Sequence, residues 1–185
     1  MDEGRYRRTT ARLILRPYET NDLPAFHDLY RRDEVCRYLP WEPMDIDQAR
    51  AKLEQRLEQT HLDDDRDALV LAAVEEATGR HVGEFMLRLE SVADRQAEVG
   101  WCLNPDAHGR GLATEGSREM LRLGFDGLGL HRIHAGSDER NEPSLRVMDR
   151  LGMRREALFI DAELVKGEWV RVVVAAILED EWRAL

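Results

Sequence analysis

The sequence predicts a mixed α/β fold, with antiparallel strands first and crossover units after them. Three observations carry this. Apolar runs of strand length recur at 68–75, 81–89 and 97–103, with a Thr78-Gly79 turn between the first two, which is the signature of a meander. Two segments of helical period, 113–125 and 141–151, then alternate with strand-like segments, the pattern of crossover connections. Between the two halves lies the stretch 104–113, NPDAHGRGLA, whose Gly109, Gly111 and Ala113 stand where a strand ends and a helix begins.

Each element has its own signal. Segment 11–17 sets Leu13 and Leu15 against Arg12 and Arg16 and closes on Pro17, as a strand does. Segment 20–32 brings Leu23, Phe26, Leu29 and Tyr30 to one helical face, with Thr20 or Asn21 available as a cap. Residues 38–43, YLPWEP, predict a turn. The acidic start of 45–57 suits the positive end of a second helix. The helix over 113–125 stops at Gly127 and Gly129, and 131–137 reads as a strand. Pro143 near the first turn and Gly152 just past the end frame the helix over 141–151. Strands follow at 153–160 and 170–178. The second is almost wholly apolar and suits burial on both faces. Residues 1–10 are polar and predicted to fray, and 179–185 is too short to assign.

A chain of 185 residues with 43% hydrophobic content fits one domain, 1–185, around one core. The net charge of −10 argues against nonspecific nucleic-acid binding, although arginines cluster between 146 and 155. It favours steering of a cationic substrate such as an amine. Cys36 and Cys102 lie far apart and no metal-ligand spacing appears, so no metal is expected. No apolar run approaches the ~18–20 residues of a membrane span, and the N-terminus lacks the apolar core of a signal peptide. A soluble, cytoplasmic protein that binds neither membrane nor nucleic acid is the expectation.

The glycine-bearing loop carries the chemistry. A helix start leaves its first N–H groups without partners, and its dipole adds partial positive charge there. Residues without bulky side chains let an anion approach, so the loop predicts a phosphate cradle. No Lys-Ser/Thr follows the glycines, which excludes a Walker loop, and the spacing is not Gly-x-Gly-x-x-Gly.

Four blocks, 13–17 (LILRP), 98–105 (EVGWCLNP), 108–115 (HGRGLATE) and 141–152 (NEPSLRVMDRLG), together resemble the GNAT superfamily of acyl-CoA-dependent N-acetyltransferases. A fifth, 166–169 (KGEW) before an apolar strand and Glu181-Trp182, also fits. The likeness covers nearly the whole chain and is nearest to the RimJ/RimL type, the ribosomal-protein N-terminal acetyltransferases. It implies a GNAT fold: a mixed, mostly antiparallel sheet with one splayed strand pair and flanking helices. It also implies acetyl-CoA as co-substrate and an amine acceptor, and it is compatible with a homodimer.

Residue by residue, the resemblance lays the pyrophosphate loop on His108, Gly109, Arg110, Gly111, Ala113 and Thr114. His108 departs from the family's Gln or Arg at the first position. The strand before the loop would hold pantetheine and the acyl carbonyl through amides of Trp101, Cys102 and Leu103. Trp101 and Leu103 are equally at home as core residues, and Cys102 reads as a small buried residue, not an acyl carrier. Asn141 would bond the pantetheine or merely cap its helix. The place of the family's proton-donating Tyr is Met148, which leaves Ser144 as the acid toward the leaving thiolate. Glu98, or Glu84 on the preceding strand, would take the proton from the attacking amine. Alternation sets Glu98, Gly100 and Cys102 on one face and Val99, Trp101 and Leu103 on the other. Trp41 would line the acceptor channel or pack. Two alternatives stay open: another acyl donor such as succinyl-CoA, and a coenzyme A-binding module without catalysis.

Overall fold

A computed structural model describes residues 6–185. An eight-stranded sheet runs in the order β1-β2-β3-β4-β5-β6-β8-β7. Its strands are β1 (Arg8–Thr9), β2 (Leu13–Pro17), β3 (Ala68–Glu75), β4 (His81–Ser91), β5 (Gln96–Leu103), β6 (Arg132–Asp138), β7 (Arg154–Val165) and β8 (Glu168–Leu178). All neighbours are antiparallel except β5 and β6.

The helices are α1 (Leu23–Tyr30), α2 (Asp33–Cys36), α3 (Ile46–Glu58), α4 (Leu112–Arg122), α5 (Glu142–Arg150) and α6 (Glu179–Arg183). Period-2 alternation sorts the sheet into two apolar layers. Val70 and Ala72 pack with Phe26, Leu29 and Tyr30 of α1 and with Ala49 and Leu53 of α3. Leu69, Leu71, Phe85, Leu87, Ala97 and Val99 face Met120 and Leu121 of α4 and Leu145 and Met148 of α5. Each fully buried Leu or Phe contributes about 1.5–3 kcal/mol.

Most expected elements are present, and the departures have local causes. The helix expected over 20–32 begins as a 3-10 turn (Thr20–Asp22), becomes α-helical at Leu23 with Pro24 in its first turn, and breaks before α2. Asp45 caps α3 in a reciprocal pair with Gln48. After Arg122 the helix widens into a π turn over Leu123–Gly127. Part of the N-terminal segment expected to fray is ordered instead: Arg8–Thr9 pairs with β2, and Tyr6 is buried. Residues 1–5 of that expectation lie outside the described residues. The strand expected at 153–160 runs on to Val165, and a two-residue turn leads into β8. β8 is buried mainly in its second half, with Val170 the buried residue of the first half.

One contact shows how closely α4 lies on the sheet. A Cβ added to Gly116 would fall 2.1 Å from Cζ of Phe85, whose ring is fully buried. Glycine in a helix costs about 1 kcal/mol relative to alanine, but overpacking a rigid ring costs about 1–3 kcal/mol. Gly116→Ala is therefore expected to lower the urea midpoint despite its better helix propensity. Phe85→Leu in the Gly116→Ala background should regain part of the loss.

Candidate active site

The sheet parts in its middle. β5 and β6 share three rungs, Gln96 with Arg132, Ala97 with Ile133 and Glu98 with His134, and then diverge. β5 stays paired with β4 up to Leu103, and β6 stays paired with β8 up to Asp138. Antiparallel ladders alternate the sides to which backbone groups point. The Asn104 amide donates to the Val82 carbonyl at 2.9 Å, which fixes the phase. By that alternation Val99, Trp101 and Leu103 turn their amides and carbonyls toward β6, and past the last rung into the gap, while Gly100 and Cys102 spend theirs on β4. The Leu103 carbonyl fits this phase, lying 3.1 Å from His108 Nε2. Of the three amides expected to hold an acyl group, those of Trp101 and Leu103 are available. The Cys102 amide is not, because it faces Glu84 across the ladder.

Both helices that follow the parallel pair begin at the gap's open end, since each starts where a strand ends. The approach to α4 is a 3-10 turn, Pro105–Ala107, capped by Asn104. Gly109 and Gly111 follow with φ of +72° and +77°, values that a side chain disfavours. Gly111 is the N-cap of α4 and supplies no side-chain bond, so the first-turn amides around Ala113 and Thr114 are uncapped. Thr114 Oγ1 is buried without a hydrogen-bond partner. An uncapped helix start beside an orphaned hydroxyl suits an anionic group such as a pyrophosphate. Arg110 is ion-paired with Glu75.

Arg12, from the start of the sheet, lies over this cradle. Its Nη1 donates to the Arg110 carbonyl at 2.8 Å, and its guanidinium meets Glu115 at 2.6 Å. Burial raises the Glu115 pKa, but the Thr10 and Arg12 hydrogen bonds outweigh this and hold it below the usual range. At the other helix, Asn141 caps α5, its Oδ1 accepting from the Ser144 amide at 3.4 Å. Ser144 is half-buried, and Met148 is sealed in the core.

The two expected carboxylates lie on one face of the sheet but in different company. Glu84 is buried. Its Oε1 accepts from Arg56 Nη2 at 2.7 Å, and its Oε2 accepts from the Tyr18 hydroxyl at 3.0 Å and Arg56 Nε at 3.3 Å. Glu98 stands at the last rung before the strands part and is ion-paired with half-exposed Arg88. Its cross-strand neighbour His134 bonds Glu90 through Nε2 at 2.7 Å.

The Glu84 carboxylate also shapes its surroundings. Burial, then Glu84, raises the Cys102 thiol far above its ordinary pKa, so that sulfur is no nucleophile near neutrality. The Tyr18 and Tyr30 hydroxyls are raised for the same two reasons. His81 lies 3.0 Å from the Tyr18 hydroxyl, and burial lowers its pKa.

Trp41 sits on the flank of α3, with Lys52 4.6 Å above its ring and Tyr30 edge-on at 6.0 Å. It lines a cavity of about 340 Å³ with Glu42, Met44, Gln48, Lys52 and Gln55. The connection carrying it is tethered across the gap. Tyr38 donates to the Arg140 carbonyl at 3.1 Å, and Lys166 donates to the Cys36 carbonyl at 2.8 Å.

The residues 12–154 match the family model described as an Acetyltransferase (GNAT) domain. The chain belongs to the GNAT acetyltransferase family. It is 30% identical over 174 residues to an uncharacterized N-acetyltransferase of Bacillus subtilis, YnaD, covering 94% of this chain and 98% of that one. It is 26% identical over 170 residues to the spermidine N(1)-acetyltransferase of Escherichia coli, covering 92% and 88%. A GNAT-family acetyltransferase structure from Bacillus anthracis superposes with a TM-score of 0.84 at 28% identity, covering 94% and 98%. This GNAT protein is accordingly an acyl-CoA-dependent N-acyltransferase. Among its described residues no helix is long and apolar enough to cross a membrane, and no cluster of His, Cys, Asp or Glu could hold a metal ion.

Sequence reasoning missed Arg12, Arg56, Arg88, Glu90 and His134. Arg88 reaches Glu98 across the β4–β5 hairpin, and the others reach the site through strand or helix pairing across longer separations.

Removing one member of a buried ion pair strands its partner. Arg56→Met should therefore cost about 3–5 kcal/mol in chemical denaturation, and Arg56→Met with Glu84→Leu should recover most of it. The folded pKa of His81 lies below its unfolded value, so its share of stability is present above pH ~6.5 and is lost as pH falls through the folded pKa. Thermal midpoints of the His81→Gln variant should fall less steeply than wild type between pH 7 and 5.

Proposed function

We propose that this GNAT protein moves an acetyl group from acetyl-CoA to a primary amine by direct attack, with no covalent enzyme intermediate. The observation that carries this reading is the gap after the Glu98–His134 rung, flanked by the starts of α4 and α5. Acetyl-CoA supplies an activated acyl group. Amides at Gly109, Arg110, Gly111, Ala113 and Thr114 hold its pyrophosphate, with Arg12 and His108 beside them. The Trp101 and Leu103 amides hold the pantetheine and the acyl oxygen, and Asn141 adds a side-chain contact from the α5 start.

The proton movements remain. The acceptor nitrogen must shed a proton to become a nucleophile, and we assign Glu98 to receive it. Glu84 has both oxygens occupied, so we assign it to holding the floor of the acceptor side. The nitrogen joined to the acyl carbon then sheds its second proton, and Ser144 Oγ relays a proton to the leaving sulfur, so that an amide and a free thiol depart. With Ser144 present and Met148 in the tyrosine's place, we read the chain as RimJ/RimL-like.

The acceptor class is a small cationic amine or a protein N-terminal α-amine. The net charge, the cavity beside Trp41 and the likeness to a spermidine acetyltransferase support the first, and the Ser144 block supports the second. We further propose that residues 1–185 act as one catalytic domain in the cytoplasm, where the two free thiols would stay reduced.

Free-thiol release from acetyl-CoA, measured over a panel of polyamines and N-terminal peptides, tests the activity. Coenzyme A binding without turnover on any amine would leave a binding module instead. Ser144→Ala should reduce kcat about 100-fold while leaving coenzyme A affinity unchanged. Glu98→Gln should depress kcat/KM most at low pH, where the amine is most fully protonated. Gly111→Val should abolish coenzyme A binding by calorimetry, since it forces a side chain onto a positive φ at the mouth of the cradle.

A further inference from the structure

His134 stands where the gap begins and carries none of the roles assigned so far. Its chain neighbours Ile133 and Ala135 are buried in the layer under α4 and α5. Alternation therefore turns His134 to the other face of the sheet, the face of Glu84 and Glu98. It shares the last rung of the parallel pair with Glu98. Its Nε2 lies 2.7 Å from Glu90 Oε2. A carboxylate only accepts, so Nε2 carries the hydrogen and the lone pair of the neutral ring falls on Nδ1. Nδ1 is buried and has no hydrogen-bond partner among the described residues. The nearby guanidiniums are committed elsewhere, Arg88 to Glu98 and Arg132 to Glu156. Buried polar atoms are seldom left unpaired, and a reacting centre is one place where they are.

The sheet is bare just ahead of this rung. The next residues on the same face are Gly100 of β5 and Gly136 of β6, one on each side of the gap. Neither places a side chain between the gap and the acceptor side. An amine entering through that opening meets Glu98 from one strand and His134 from the other.

We propose that His134 is a second base of the reaction, Nδ1 taking the proton that nitrogen sheds after joining the acyl carbon, with Glu90 holding the ring. This rests on the acetyl transfer proposed above. That transfer strips two protons from an ammonium, and the first already fills Glu98. The nitrogen lone pair forms the N–C bond while the carbonyl π pair moves to oxygen, which leaves nitrogen positive. Nδ1 takes one proton from that nitrogen. The oxygen pair then returns, the C–S bond breaks, and sulfur departs with the bonding pair to take the proton relayed by Ser144. The imidazolium is stabilised by the Glu90 carboxylate until it returns its proton to solvent, to which the side chain is 16% exposed.

Thiol-release kinetics with two acceptors test this, one an ordinary ammonium and one an amine already neutral at the assay pH. The neutral amine has only the second proton to lose. His134→Gln should lower kcat about 100-fold with both, with coenzyme A affinity unchanged by calorimetry. Glu98→Gln should be slow with the ammonium and close to wild type with the neutral amine. Added imidazole should restore part of the turnover of His134→Gly. Glu90→Gln should lower kcat in the wild type and cost nothing further in the His134→Gln background, as expected of a residue that acts through the ring. Wild-type kcat in His134→Gln would overturn the proposal and leave the acetyl transfer standing. Recovery of His134→Gln, but not of Glu98→Gln, on the neutral amine would overturn it too, because the ring would then take the first proton. A His134→Gly enzyme indifferent to imidazole would make the ring structural. A wild type that releases no thiol with any amine would remove the transfer and this step together.

Discussion

The structure depends on β5 and β6 being the one parallel pair among the described residues and separating after three rungs. A strand interior leaves no backbone donor unpaired. Here two strands remain anchored on their outer sides, and their inner sides open. The Val99 carbonyl, the Trp101 amide and carbonyl and the Leu103 amide therefore face a space that an extended ligand can enter as a further strand would. Parallel order also fixes where the next helices begin. Each crossover starts at a strand's C-terminal end, so α4 and α5 both present their positive ends to one crevice, as open α/β sheets do at the point where strand order reverses. One departure from regular pairing thus assembles a strand-like docking edge, an anion cradle and a second helix start.

The opposite face must stay rigid while the middle opens. Arg56 from α3, Glu84 from β4 and Tyr18 form a network that joins the helical cover to the sheet through buried hydrogen bonds. Such a network is a poor source of stability compared with apolar packing, but it admits few geometries. It fixes α3, and with it the connection bearing Trp41, relative to β5. The tethers from Tyr38 and Lys166 close the same connection onto the α5 start and the β7–β8 turn.

The sequence made the strand order of the meander, the helix ends and the glycine-bearing helix start that we propose as a phosphate cradle legible, because each rests on local signals: period-2 runs, Pro143 and Gly152 as punctuation, and small residues at a helix start. The alternation of Glu98 against Val99 was readable for the same reason. The cradle's basic neighbour was not, since Arg12 reaches Arg110 only after β2 docks beside β3 and α4 folds over the sheet. The three-rung limit on β5 and β6 has no local mark, and neither has the ladder phase that turns the Cys102 amide to β4, so that amide looked as available as its neighbours. The extension of β7 to Val165 escaped because residues 161–163, polar and bulged, break the alternation that marks a strand.

The division of labour between the two carboxylates shows how neighbours decide chemistry. Glu84 and Glu98 occupy the same face of adjacent paired strands, so sequence alternation treats them alike. Glu84 faces α3, where burial makes an unpaired charge prohibitive and Arg56 with Tyr18 must saturate it. A carboxylate so held can accept a proton only by breaking the ion pair that stabilises its own fold. Glu98 lies where the helical cover has ended and β6 has begun to turn away, and its partner Arg88 is half exposed. Exchange of a proton there disturbs one solvated ion pair and no core. The carboxylate we propose for the reaction is thus the one the fold does not need.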